Sequence, residues 1–134
     1  MSPRENIFYA IGQLAYAMAN ADGKVQKEEQ KKFLDDCLTE LGAGADGPVI
    51  AEIIFKLLKK QASSDTESAY ELAMNTIRTN GHYLSPELKR KAIHLLHKVG
   101  EASEPFTNEE RELLERFKRD IEPINGDPVY YNQK

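Results

Sequence analysis

Apolar residues recur at steps of three and four along most of the chain, which is the spacing of one face of an α-helix. Six such segments follow one another, separated by short stretches rich in Gly, Pro, Asn, Asp and Ser. No segment shows the convincing alternation of apolar and polar residues that marks a half-buried strand. The pattern predicts an all-α fold, a compact bundle of about six helices.

The first predicted helix covers about residues 5–20, and Ser2 and Glu5 have the spacing of a capping box at its start. Its apolar stripe consists of Ile7, Phe8, Ile11, Leu14, Ala15 and Met18. The segment from Asn6 to Ala21 carries no charge, and Gly12 and several alanines flank the stripe. An uncharged helix is expected to be buried on more than one side, so this one should be the central helix of the bundle.

The second helix is predicted over about residues 27–41, and the third begins at Pro48. The residues of the third helix expected to face the core are Ile50, Ile53, Ile54, Leu57 and Leu58. The start signals of the last three helices are Ser64 with Glu67, Ser85 with Pro86, and Thr107 with Glu110.

The chain of 134 residues fits one domain, predicted over residues 1–121, with an irregular C-terminal tail at 122–134. A shift of 81 residues lays Val25 and Glu29 onto Phe106 and Glu110. The bundle is therefore expected to contain two pseudo-repeated helical hairpins, the first two helices resembling the last two.

Composition narrows the classes of function. A net charge of -4 argues against a nucleic-acid binder, which needs a cationic surface. The single cysteine, Cys37, cannot form an internal disulfide, and no signal peptide is recognised, so we expect a cytoplasmic protein. The uncharged first segment is too short and contains too many amides for direct membrane insertion.

The junction between the first two helices carries the one motif with possible chemistry. Residues 18–29 overlay the twelve-residue calcium loop, with Asn20 and Asp22 at its third and fifth places and Glu29 at its twelfth. Met18, however, stands where the first carboxylate ligand is needed. The loop therefore lacks a ligand that an EF-hand calcium site requires.

The same run resembles the signature of the TerB-like family of tellurite-resistance and stress proteins. The matching residues are Ala19, Ala21, Asp22, Gly23, Val25 and Glu29. The resemblance implies an all-helical bacterial domain of two related halves, a metal-associated acidic site, and stress-linked membrane or chaperone partners. In the second half Ser103-Glu104 replaces the Asp-Gly pair, a departure from the family pattern.

Two interpretations of the acidic residues stay open. In the first, Asp22, Glu29, Asn20 and Glu110 hold a weakly bound divalent cation, the one cofactor considered. In the second, Asp22-Gly23 simply ends a helix, and the two glutamates cap the helices that follow.

The expected function is a non-enzymatic TerB-like stress-response module acting through protein partners. The alternative is a divalent-metal-binding or -sensing domain.

The remaining candidates favour structural roles. His94 and His97 point away from the apolar stripe of the fifth helix, so we expect both, and His82, at the surface. Cys37 fits a buried core position, and no catalytic motif is present. The lysines at 56, 59 and 60, with Glu52 nearby, are typical of a solvated helix face. Tyr9 and Tyr16 project from the side of the first helix opposite its apolar stripe. They form an aromatic partner-binding patch if that side is uncovered; we favour the alternative, in which other helices surround the first one.

Overall fold

Every regular element of the computed structural model is helical across the residues it describes, which are 2–21, 31, 46–61, 65–102 and 107–132. The helices are α1 (Pro3–Ala19), α2 (Asp46–Gln61), α3 (Thr66–Thr79), α4 (Pro86–Glu101), α5 (Asn108–Ile121) and α6 (Pro128–Tyr131), with a 3₁₀ turn at Gly81–Tyr83. The all-α prediction is confirmed. The second helix predicted from the sequence lies, apart from Lys31, outside the described residues, as do Val25, Cys37 and Phe106.

The helices start where local sequence signals place them. At α1 the backbone N–H of Glu5 donates to Ser2 Oγ at 3.1 Å, and Ser2 N–H donates back to Glu5 Oε1 at 2.9 Å. Ser85 accepts from the N–H of Leu88 at the start of α4. These contacts satisfy backbone donors that a helix leaves unpaired in its first turn, which fixes the helix boundaries.

The start of α3 differs from the prediction. Asp65, and not Ser64, is the N-cap, and its carboxylate accepts from the N–H of Ser68 at 2.6 Å. An aspartate at this position both satisfies the donor and places a negative charge at the positive end of the helix dipole. The hydrogen bond from Ser68 lowers the pKa of the Asp65 carboxyl, since it favours the charged form.

The central helix of the bundle is α1, as its uncharged sequence predicts. Every residue from Ile7 to Ala19 except Tyr9 is buried, and α1 contacts α2, α3, α4 and α5. Gly12 allows α2 to approach closely: a Cβ there would lie 2.5 Å from the carbonyl oxygen of Ala51 and would collide with Ile54. The small residues of α1 thus set the distance between the two helix axes.

The orientation of α2 corrects part of the predicted core. Ile54 is 3% exposed, and Ala51 and Phe55 are fully buried, whereas Ile53 is 60% and Leu57 is 46% exposed. The five aliphatic residues predicted to face the core span too wide an arc of the helix for one contact. Because α2 packs on α1 through Ala51 and Ile54, the rotation that buries these residues turns Ile53 and Leu57 outward.

The C-terminal segment, expected to be irregular, includes the short helix α6 and folds back on the 3₁₀ turn. The amino group of Lys89 donates to the carbonyl oxygens of Glu122 at 2.8 Å and Ile124 at 3.0 Å. A cation in this position complements the negative C-terminal end of α5. The ring of Tyr130 stacks on His82, with the ring centroids 5.2 Å apart.

Neighbouring isoleucines on α2 provide a matched test of this orientation. Ile54→Ala should lower the free energy of unfolding by about 2–5 kcal/mol, because it removes buried methyl groups and leaves a cavity. Ile53→Ala, one residue away with the same atoms removed, should stay within about 0.5 kcal/mol of wild type. Urea denaturation of both variants measures the difference. Equal losses would show that α2 is rotated from the orientation described above.

Candidate functional site

Asn20, one of the four residues proposed for the acidic site, ends α1. Its carbonyl oxygen accepts a hydrogen bond from Thr66 Oγ1 at 3.0 Å, and its Nδ2 lies 3.4 Å from the same hydroxyl. The contact ties the end of α1 to the first turn of α3. Asp22 and Glu29, the two acidic members proposed from the motif, lie outside the described residues.

Glu110, the fourth proposed residue, is fully buried in the first turn of α5. Its Oε1 accepts from the backbone N–H of Thr107 at 3.1 Å and from the Thr107 hydroxyl at 2.9 Å. The Glu110 N–H in turn donates to Thr107 Oγ1 at 3.1 Å. This reciprocal pair is the capping box predicted from the sequence, so the helix-capping role of Glu110 is confirmed.

The second carboxylate oxygen of Glu110 is not explained by capping. Oε2 is buried, and within the described ranges no group donates a hydrogen bond to it. A buried acceptor without a partner is costly, and a carboxylate oxygen more so than a neutral one. A cation next to Oε2 would relieve that cost. Oε2 is therefore the atom of Glu110 that the metal-binding hypothesis would use as a ligand.

A pocket of about 200 Å³ lies where the end of α1 meets the first turns of α3 and α5. It is lined by Ala21, Thr66, Glu109, Glu112, Leu113 and Arg116. Ala21 directly precedes Asp22, and Glu109 directly precedes Glu110. The fold therefore positions the end of α1 beside the start of α5, although no hydrogen bond joins Asn20 to Glu110 themselves in the described part of the chain.

Arg116 also lines this pocket, and its charge is paired with carboxylates of α3. Its Nη1 and Nη2 donate to the two carboxylate oxygens of Glu67 at 2.6 and 2.8 Å, and Nη2 also contacts Glu71. The guanidinium carbon lies 4.2 Å from the centre of the Tyr70 ring. Hydrogen bonding by Arg116 holds the pKa of the Glu67 carboxyl below its ordinary value. The cation is thus already neutralised by α3.

Tyr70 continues the same cluster into the core. It is 1% exposed, and its hydroxyl donates to Asp120 Oδ2 at 2.5 Å. Burial, followed by the hydrogen bond to Asp120, raises the pKa of the Tyr70 phenol well above its ordinary value. A phenol held in its neutral form is a hydrogen-bond donor and not a base. The cluster of Glu67, Tyr70, Arg116 and Asp120 therefore joins α3 to α5.

The remaining candidates from the sequence lie mostly where they were expected. His82, His94 and His97 are exposed, and His97 Nε2 is 2.8 Å from Glu101 Oε1. Tyr16 is 3% exposed, so the uncharged helix is surrounded at this position, and burial raises the pKa of its phenol. Tyr9 is only half-buried and lines a shallow groove between α1 and α3.

Two further findings concern metals and membranes. Among the residues described, no group of three or more His, Cys, Asp or Glu side chains is arranged to hold a metal ion. Nor does any helix in this part of the chain have the length and apolar character needed to cross a bilayer.

Comparison of the chain with protein-family models, with curated proteins and with solved structures finds no match. The TerB-like resemblance accordingly rests on the residues of the motif around Asp22.

The link between α3 and α5 can be tested at Arg116. Arg116→Gln removes a two-pronged ion pair and a cation–ring contact, and should cost about 1–2 kcal/mol at pH 7. The pKa of Glu67 is lower in the folded chain than its ordinary value of 4.5. The contribution of the ionised Glu67 carboxylate to the free energy of unfolding is therefore present above pH 4.5. It is lost as the pH falls through the pKa of Glu67 in the folded chain.

Urea denaturation at pH 7 and at pH 3 measures both effects. The difference between wild type and Arg116→Gln should narrow at the lower pH. Arg119→Gln, an exposed arginine on the same helix, serves as the control and should remain within about 0.5 kcal/mol of wild type. A loss at Arg116 that is the same at both pH values would show that packing, and not charge, joins the helices.

Proposed function

We propose that the chain is a non-enzymatic, TerB-like stress-response module, related to tellurite resistance, that acts by binding partner proteins. The motif from Ala19 to Glu29 motivates the family assignment. The all-α architecture, with an uncharged first helix enclosed by the others, is the kind of fold that the resemblance implies.

The observation that carries the partner-binding role is the exposure of large aliphatic side chains on α2. Ile53 and Leu57 are one helical turn apart and are 60% and 46% exposed. Isolated apolar residues are common on protein surfaces, so Leu72, alone on α3, carries no argument. Two adjacent ones on a helix whose opposite face is anchored in the core form the beginning of a contact surface.

A stress challenge of the source organism tests this function. Cells lacking the gene should grow less well than wild type in graded tellurite, and the intact gene should restore growth. The double variant Ile53→Gln/Leu57→Gln should fold normally but restore growth poorly, because it removes the exposed aliphatic surface. Leu72→Gln is the matched control and should restore growth fully. Unchanged tellurite sensitivity in cells lacking the gene would overturn the stress role.

Binding of a divalent cation is a second candidate, favoured by the unpartnered Oε2 of Glu110 and the pocket beside it. Glu110 and Asn20 would supply oxygen ligands from the described residues, with Asp22 and Glu29 the further acidic ligands proposed from the motif. Because Met18 replaces the first carboxylate of a calcium loop, affinity should be weak, with a dissociation constant of about 10⁻⁴ M or poorer for calcium.

Isothermal titration with calcium, magnesium, manganese and zinc separates the two interpretations of the acidic residues. If they form a site, the heat of binding should disappear in Asp22→Asn/Glu29→Gln and weaken in Glu110→Gln. Glu115→Gln, on the exposed side of α5, should leave the heat unchanged. The absence of heat for every metal at millimolar concentration would reduce Glu110 to a helix cap and Asp22-Gly23 to a helix stop.

A further inference from the structure

The outward side of α2 carries a regular row of four residues, Ile53, Lys56, Leu57 and Lys60, which we call the outer stripe. Their spacing of three, one and three residues places them along one face of the helix. All four are exposed. The opposite face holds Ala51, Ile54 and Phe55, which are buried. The outer stripe is therefore exposed on a helix whose opposite face is packed against the core.

The order of apolar residues along the stripe matches a seam for pairing with another helix. Ile50, Ile53 and Leu57 follow one another at steps of three and four, the a and d positions of a heptad pattern. Ile50 is half-buried against the core, so the seam begins at the edge of the bundle and continues outward through Ile53 and Leu57. A helix laid along this seam would bury both exposed aliphatic side chains.

The charges on the stripe determine what kind of helix fits. Lys56 and Lys60 are exposed beside the apolar pair, and within the described ranges neither forms an ion pair. A second copy of the chain docked through the same stripe would bring four lysines into one contact. An acidic partner helix, by contrast, would place carboxylates opposite them.

A lipid surface is the less favourable occupant for a physical reason. Binding of a helix to a bilayer grows with the apolar area that it inserts. Ile53 and Leu57 offer only two partly exposed side chains, so the apolar area available for insertion is small. Two aliphatic residues are sufficient to align a partner helix but supply little area for insertion.

We propose that the outer stripe of α2 docks an acidic amphipathic helix of a partner protein, in a side-by-side helix pair. The proposal rests on the function proposed above and names its contact surface and the chemistry of its partner. Ile53 and Leu57 supply the apolar contact, while Lys56 and Lys60 select glutamate or aspartate along the edges of the partner helix.

The test uses the intact purified chain and two synthetic three-heptad peptides, labelled with a fluorophore. Both have leucine and isoleucine at the a and d positions, and they differ only in carrying glutamate or lysine at e and g. Fluorescence anisotropy should show the wild type binding the glutamate peptide at least about tenfold more tightly than the lysine peptide. Ile53→Gln/Leu57→Gln should weaken binding about tenfold or more, and Leu72→Gln should leave it unchanged.

Charge reversal makes the result specific to the stripe. In Lys56→Glu/Lys60→Glu the preference should invert, so that the lysine peptide binds more tightly than the glutamate peptide. Circular dichroism of each variant must first show the helical signal of the wild type. Equal affinity for both peptides, or a preference that survives the charge reversal, would overturn the proposal.

Two other occupants are tested in the same material. Co-sedimentation with vesicles containing one-third phosphatidylserine, if abolished by the same double variants, would assign the stripe to an anionic membrane and overturn the helix proposal. Sedimentation velocity showing a dimer that Ile53→Gln/Leu57→Gln dissociates would assign it to a second copy, with the same consequence. Slow reaction of a thiol introduced by Ile53→Cys, compared with Leu72→Cys, would show the stripe to be covered in the free chain and would also overturn the proposal.

The outcome is separable from that of the growth experiment. Selective binding of the glutamate peptide without any tellurite phenotype would support the docking surface and reject the stress role. If cells lacking the gene are sensitive to tellurite, Ile53→Gln/Leu57→Gln restores their growth fully, and no peptide binds, the stress role is kept and this surface is rejected.

Discussion

The enclosure of α1 by the other helices is the constraint on which the rest of the fold depends. A helix with no charged residue over its last four turns has no face that prefers water, so the remaining helices must surround it. Gly12 sets how closely α2 approaches, and the contact with Ala51 and Ile54 sets the rotation of α2. That rotation in turn decides which residues of α2 are left at the surface. The outer stripe is thus a consequence of the packing of α1.

Features determined within a few residues of sequence were predictable, and those determined by distant residues were not. The capping boxes at Ser2 and Thr107 follow from side chains three positions apart. The inward face of α2 required knowledge of where α1 lies, because five aliphatic residues leave the rotation of the helix open. Arg116 gave no sequence signal, since its partners Glu67 and Glu71 are more than forty positions away.

The candidate acidic site shows the same division. The capping role of Glu110 could be predicted because Thr107 precedes it by three residues. Its unpartnered Oε2, and the pocket that joins the end of α1 to the start of α5, depend on how helices far apart in sequence come together. Local spacing can identify a carboxylate as a candidate site residue. Whether its oxygens have hydrogen-bond partners depends on how the whole bundle is assembled.

The close approach at Gly12 also limits how this sequence can diverge. Any side chain at position 12 would collide with Ile54 and with the backbone of Ala51 unless the two helices moved apart. Ala51 is itself fully buried, so the same gap restricts its size as well. Substitution at one of these positions is tolerable only with a compensating change at the other. Position 12 and positions 51 and 54 should therefore vary together among descendants of this chain, as a linked set and not as independent sites.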